Sequence, residues 1–187
     1  MKSLNKKILT ACLALMMAVV MAVPTFAATP AVASSPVGRT VGIHGYGNIL
    51  AGALTANGAY NQAPVDLQQF KDKAGQKWNI EGNGNYGTIY TAQTVTGSRL
   101  AINLYRTAVS SGVYPVTLAT TGGNVDDTYF YFSNYDGDTF RAWLQQGSYM
   151  GFRLYIDKSD SSSLYSDVYF VNSDKSPNTL WRWRIMW

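Results

Sequence analysis

Apolar residues in this 187-residue chain recur mainly at every second position. Leu100, Ile102 and Leu104 alternate with polar or small neighbours, and so do Phe140, Ala142 and Leu144, then Val168 and Phe170, then Trp181, Trp183, Ile185 and Trp187. A period of two puts successive apolar side chains on one face of a strand, and no convincing helical spacing occurs from Val41 onward. Between the runs stand Asn57-Gly58, Asn83-Gly84, Gly122-Gly123 and Asp136-Gly137. Such pairs tolerate positive φ and suit tight hairpin turns. The pattern predicts an all-β domain of short strands, built as a sandwich or a barrel.

An internal repeat separates those two architectures. Pro64-Val65-Asp66-Leu67 returns as Pro115-Val116-Thr117-Leu118 and as Asp167-Val168-Tyr169-Phe170. Trp78 and Ile80 return as Phe130 and Phe132, then as Trp183 and Ile185. Leu50, Ile102 and Leu154 are read in the same phase, followed by Gly52, Leu104 and Ile156, while Thr40-Val41, Thr88-Ile89 and Thr139-Phe140 open the three units. A unit of about 50 residues holds about four strands and cannot bury a face alone. The expected fold is a β-trefoil, a barrel closed by hairpins with pseudo-threefold symmetry, over residues 41–187 with repeats near 41–87, 88–138 and 139–187.

The N-terminal region carries a different pattern. Lys2, Lys6 and Lys7 precede an apolar run from Ile8 to Val23, and Thr25-Phe26-Ala27 offers a small-x-small cleavage site. Residues 1–27 read as a signal peptide, residues 28–40 as a flexible leader rich in Ala, Ser and Pro, and the product as secreted and extracellular. Cys12 is the single cysteine and lies inside the signal, so no thiol, disulfide or thiolate ligand is expected afterwards. Removing the three lysines lowers the net charge from +4 to +1. The remaining cations are scattered, which sets aside nucleic acid as a partner, and no membrane association is expected after cleavage.

Gln76-Lys77-Trp78-Asn79-Ile80, preceded by a Gly/Asn-rich turn and Val65-Asp66-Leu67, resembles a repeat of the ricin-type (ricin B-like) β-trefoil lectins, whose signature is Gln-x-Trp. Leu100-Ala101-Ile102-Asn103-Leu104-Tyr105-Arg106 is similar to the Leu-Asn-Val segment of secreted bacterial members. The literal tripeptide occurs once, and the other units offer Thr128-Tyr129-Phe130 and Trp181-Arg182-Trp183. The resemblance implies core roles for Trp78, Phe130 and Trp183. It also implies sugar sites built from an Asp or Asn before the turn, an aromatic platform about three residues after the repeated Val, and an amide near Gln-x-Trp. Those positions hold Gly52, Asn103 and Tyr155 for the first and Gln68, Ala119 and Val171 for the second, so no unit keeps a complete set. The candidate carbohydrate-binding residues are Asn103 as hydroxyl partner, Asp126 or Asp127 as a second acceptor, Tyr105 or Tyr114 as platform, and Gln76 as the amide of unit one. Tyr60, Tyr114 and Tyr165 each precede a repeated Val and offer a relocated ring set.

Other chemistry is poorly supplied. His44 is the only histidine and no Gly-x-Ser-x-Gly elbow accompanies it. Gly82-Asn83-Gly84-Asn85-Tyr86-Gly87 matches a phosphate-binding fingerprint in letters, but a strand pattern follows where a helix is required. Asn134-Tyr135-Asp136-Gly137-Asp138 lacks the rest of a helical calcium loop, and Glu81 is the only glutamate for a glycosidase pair. Neither catalytic residues nor a metal or cofactor are expected. The expected function is a secreted, non-enzymatic carbohydrate-binding module for extracellular or cell-wall glycans. The alternatives are a protein-binding trefoil, such as a protease inhibitor or toxin accessory, and a structural trefoil with degenerate sites.

Overall fold

The computed structural model describes residues 35–46, 52–94, 97–120, 127–156, 166–172 and 182–186. The expected signal peptide, residues 1–27, together with Leu50, Asp126, Tyr165, Trp181 and Trp187, therefore lies outside the described residues. Alternating apolar runs become twelve strands. Unit one contributes β1 (Arg39–Tyr46), β2 (Ala53–Ala56), β3 (Val65–Gln68) and β4 (Trp78–Asn83). Unit two contributes β5 (Tyr86–Thr91), β6 (Leu100–Leu104), β7 (Val113–Thr120) and β8 (Phe130–Ser133). Unit three contributes β9 (Thr139–Leu144), β10 (Arg153–Ile156), β11 (Ser166–Val171) and β12 (Arg182–Met186).

The outer strands of each unit form a barrel in the order β1–β4–β5–β8–β9–β12, which closes back on β1 with every pair antiparallel. Closure removes the exposed edges that an open sheet would carry. The inner strands of each unit pair as the hairpins β2–β3, β6–β7 and β10–β11. These hairpins are joined through β3–β11, β7–β11 and a Pro64–Thr117 bridge. A closed barrel capped by three linked hairpins is the β-trefoil.

The core explains the repeat. Val65 and Leu67, Val116 and Leu118, and Val168 and Phe170 all point inward from the second strand of each hairpin and are buried. Trp78, Phe130 and Trp183 are each fully buried. Burying each such ring contributes roughly 1.5–3 kcal/mol. The Trp78 indole N–H donates to Leu54 O at 2.9 Å and the Trp183 indole to Leu154 O at 3.1 Å, pinning a hairpin to the barrel in units one and three. Phe130 has no N–H and instead stacks on Phe170 of the neighbouring unit at 5.9 Å and 18°.

Two sequence expectations change. The residue opposite Leu67 is Leu54, matching Ile102 opposite Leu118 and Leu154 opposite Phe170, so Leu50 is not the repeat position. Leu54 and Leu67 lie 13 positions apart, against 16 for Ile102–Leu118 and for Leu154–Phe170, and this shift of unit one's phase moves the position equivalent to Asn103 from Gly52 to Thr55. The leader also joins the fold before residue 40: Gly38 N–H donates to Ile80 O at 2.7 Å, Arg39 and Thr40 pair with β4, and Val37 packs on the core. The Asn83–Tyr86 segment is the β4–β5 hairpin turn, with Gly84 at φ 59°, and not a phosphate loop.

Candidate functional site

In a two-sided hairpin the residues between the core positions lie on the second face, here Thr55, Asp66 and Gln68, Asn103 and Thr117, and Tyr155 and Tyr169; of these Thr55, Thr117 and Tyr155 are buried, so function is sought at the half-buried Asp66, Gln68, Asn103 and Tyr169. Unit two holds the site favoured by sequence. Asn103 is half-buried on β6, and its amide donates to Leu104 O at 2.8 Å and weakly towards Thr117 Oγ1 at 3.4 Å. Tyr105, two residues on and half-buried, shares that outward parity. Tyr114 does not. It lies on the core side of β7, where Tyr149 and Phe152 meet its ring edge-on at 5.1 and 5.6 Å, so it is packing rather than a platform.

Asp127 and Gln76 are also corrected. Asp127 is buried and holds the half-exposed Arg106 through Oδ2 at 2.9 Å, an arrangement that ties the β6–β7 start to the segment before β8. Gln76 is 1% exposed, and both ends of its amide are occupied. Its Nε2 donates to Thr55 Oγ1 at 3.1 Å and Gln69 O at 2.9 Å, while Oε1 accepts from Lys71 N at 2.8 Å. It fastens the β3–β4 connection, including the short 3-10 turn Ala74–Gln76, onto β2. The Asp136–Asp138 carboxylates are likewise engaged locally: Asp136 Oδ1 accepts from Thr139 N at 3.0 Å and Thr139 Oγ1 at 2.6 Å, and Asp138 pairs with Arg184 at 2.9 Å. Among the described residues no group of three or more His, Cys, Asp or Glu side chains gathers as for a metal.

Unit one carries the better-formed outer face, and sequence reading passed over it. Asp66 sits on β3 directly across from Thr55 on one side and Asp167 of β11 on the other. Its Oδ2 accepts from Asn57 Nδ2 at 2.7 Å, and Gln68 Nε2 donates in turn to Asn57 Oδ1. Tyr169 donates its hydroxyl to Asp167 Oδ2 at 3.0 Å. Asp66 Oδ1 is buried with no hydrogen-bond partner among the described residues. Burial raises the Asp66 pKa above its ordinary 3.8, the Asn57 and Gln68 amides pull it back, and the facing Asp167 raises it further.

The β2–β3 connection that begins at Asn57 also carries an exposed ring. Tyr60, in the β2–β3 connection, is 55% exposed. Gly58, at φ 149°, lets it approach the backbone beside Asn57, since a Cβ there would lie 2.4 Å from Tyr60 Cε1. The connection itself is fixed to unit two by Gln62 N–H to Leu118 O at 2.7 Å and Leu118 N–H to Ala63 O at 2.9 Å. Hairpins one and three thus bring together two facing carboxylates, two amides and a phenol hydroxyl, and the connection that supplies Asn57 also carries one accessible ring. Such a set can orient hydroxyl groups while the ring covers an apolar face. Period-two alternation placed Asp66 outward between Val65 and Leu67, and that was the signal available for it.

No protein-family model and no curated protein matches the sequence. The fold, however, is similar to several solved structures. A designed threefold-symmetric protein, ThreeFoil, matches with TM-score 0.60 at 14% identity over 79% of this chain and 97% of its own. A ricin B-like lectin from Macrolepiota procera, solved with lactose, matches with TM-score 0.52 at 15% identity over 80% and 95%. An exo-β-1,3-galactanase from Clostridium thermocellum matches with TM-score 0.60 at 11% identity over 81% of this chain and 30% of the galactanase. The chain thus has a ricin B-like β-trefoil fold, and it spans under a third of the galactanase it resembles.

Proposed function

We propose that the protein is a secreted, non-enzymatic carbohydrate-binding module whose site is the Tyr60–Asn57–Asp66–Gln68 face with Asp167 and Tyr169 at its edge. The observation that carries this reading is the Asp66 carboxylate, which is half-desolvated, faces a second carboxylate and is bonded to Asn57, in the connection that carries the exposed Tyr60. Such an arrangement opposes stability and is kept where a ligand benefits from it. A sugar hydroxyl donates to a carboxylate and accepts from an amide, and the seam supplies both within a few side chains. The lactose-bound lectin and the galactanase among the structural neighbours support a glycan as ligand. Secretion rests on the N-terminal lysines, apolar run and small-x-small site described above.

The test is a panel of glycans and cell-wall polysaccharides, each hit challenged with its free sugar. Saturable binding that free sugar abolishes is expected, and the binding of mono- and disaccharides is lost in Asp66→Asn. A folded protein that captures no glycan contradicts the reading. The protein-binding alternative is favoured by Val109 at 57% and Met150 at 68% exposure, apolar side chains standing in loops. Capture of a protein partner that free sugars leave untouched is its mark.

A further inference from the structure

A second set of rings lies on the barrel wall and reaches β10 of the third hairpin. Hydrogen-bonded partners run Asn83, Tyr86, Tyr131, Trp143 and Arg153 in one row across β4, β5, β8, β9 and β10. Directly opposed residues of antiparallel strands project from the same face of the sheet, at about 4.8 Å per strand, so this row extends about 19 Å. The core does not need these rings. It uses the alternate positions Ile89, Phe130, Phe132, Ala142 and Leu144, all buried.

Tyr86, Tyr129 and Tyr131 form a contiguous cluster, and Trp143 follows Tyr131 in the row. Tyr86 is 43% exposed, with Tyr131 at 5.1 Å and Tyr129 at 6.3 Å between ring centres, the latter within 12° of parallel. Trp143 is held in place: its indole N–H donates to Ser133 Oγ at 2.8 Å, the Arg153 guanidinium lies 4.4 Å from its ring, and it packs on Tyr155 and Val171. A platform fixed before binding avoids the ordering cost that flexible contacts incur. Asn83 places an exposed amide at one end, and Arg153 places a guanidinium at the other.

We propose that this wall is a further carbohydrate surface and that it takes an extended polysaccharide chain. The proposal rests on the carbohydrate reading above but uses none of the residues of the Tyr60–Asn57–Asp66–Gln68 face. Shape decides the occupant. A protein partner requires about 800 Å² per side with a packed apolar centre, whereas this row is one side chain wide and contains neither an aliphatic residue nor a carboxylate. A linear chain of pyranose rings presents apolar faces to the aromatic rings and hydroxyls to the amide, phenol and guanidinium groups. The row is longer than one sugar, so affinity grows with chain length here, while the compact hairpin seam is filled by a short sugar.

The experiment compares the wild-type protein, Tyr86→Ala/Tyr131→Ala and Asp66→Asn. The probes are insoluble cellulose, chitin, β-1,3-glucan and peptidoglycan, with soluble cello- and chito-oligosaccharides of one to six units. Each folded variant is confirmed by circular dichroism and thermal melting, and Tyr86→Thr at the exposed hairpin end serves if the double variant does not fold. The expected result is at least a roughly tenfold loss of polymer binding in the wall variant, with binding that strengthens along the oligosaccharide series in wild type and in Asp66→Asn. Polymer binding that survives the wall variant and disappears in Asp66→Asn overturns the proposal and leaves the module reading standing. A wild-type protein that binds single sugars with no length dependence also overturns it. A folded wild-type protein that binds no polysaccharide or oligosaccharide overturns this proposal and the glycan reading together.

Discussion

The hairpins β2–β3 and β6–β7 present the same inner face and opposite outer faces. Leu54 opposite Leu67 in the first matches Ile102 opposite Leu118 in the second, and all are buried. Outside, the first carries Asp66 bonded to Asn57 with Asp167 across the seam, while the second carries Asn103 bonded to its own strand and Thr117. Selection for a closed core constrains the inner set, because a lost methylene or a cavity is costly there, whereas outward positions are free to diverge. The difference teaches that symmetry in this molecule is a property of packing, and that chemistry is sought where the symmetry breaks.

The largest expected effect removes what the two hairpins share. Trp78→Ala empties a fully buried site and loses the bond to Leu54 O, a cost of about 3–5 kcal/mol in chemical denaturation. Trp78→Phe, which copies unit two, leaves Leu54 O without that donor and costs about 1–3 kcal/mol. Next comes Gln76→Ala. It strands the Lys71 N–H and Gln69 O groups that the amide serves, and a loss of about 1–3 kcal/mol is expected, whereas Asn103→Ala changes stability by under about 0.5 kcal/mol. Equal costs for the two would show that Gln76 does not fasten the β3–β4 connection.

Much of the fold was legible because the inner set repeats. The alternation at Leu100, Ile102 and Leu104 and the recurrence of Val65, Val116 and Val168 each report a buried position, and buried positions tolerate few residue types. Leu50 misled because the paired core positions of the first hairpin stand 13 residues apart and those of the other two 16, and such a change in spacing leaves no mark in residue identity. The site was less legible. Tyr114 was read as exposed from its place before a Val, yet two aromatic neighbours enclose it, and those neighbours come from the segment between β9 and β10. Gln76 was read through the lectin signature as a sugar amide, while its burial follows from the turn that wraps it. The Asp66–Asp167 pairing joins residues about 100 positions apart in sequence and becomes visible only with the register of β3 on β11.

The smallest expected effect on stability has an unusual sign. Like charges directly opposed across strands destabilise by about 0.2–1 kcal/mol, so Asp167→Asn is expected to raise the melting temperature at neutral pH. Asp66 gives the pH dependence. Its folded pKa lies above 3.8 because of burial first, opposed by the Asn57 and Gln68 amides and supported by Asp167. The folded state therefore holds a proton that the unfolded chain releases, and this contribution is fully present below 3.8 and lost as pH rises through the folded value. Thermal melts across that window should show wild type losing stability relative to Asp66→Asn as pH rises. A difference that is flat with pH would remove the desolvated carboxylate from the account.

The central claim is that the seam of hairpins one and three keeps a destabilising carboxylate for the sake of a glycan. Its most direct measurement pairs calorimetric titration of the strongest free mono- or disaccharide from the glycan panel with thermal melting at neutral pH, on wild type, Asp66→Asn and Asn103→Ala. The account predicts that Asp66→Asn melts at or above the wild-type temperature and no longer binds that mono- or disaccharide, while Asn103→Ala keeps both properties of wild type. Full binding by a folded Asp66→Asn, or loss confined to Asn103→Ala, would contradict it.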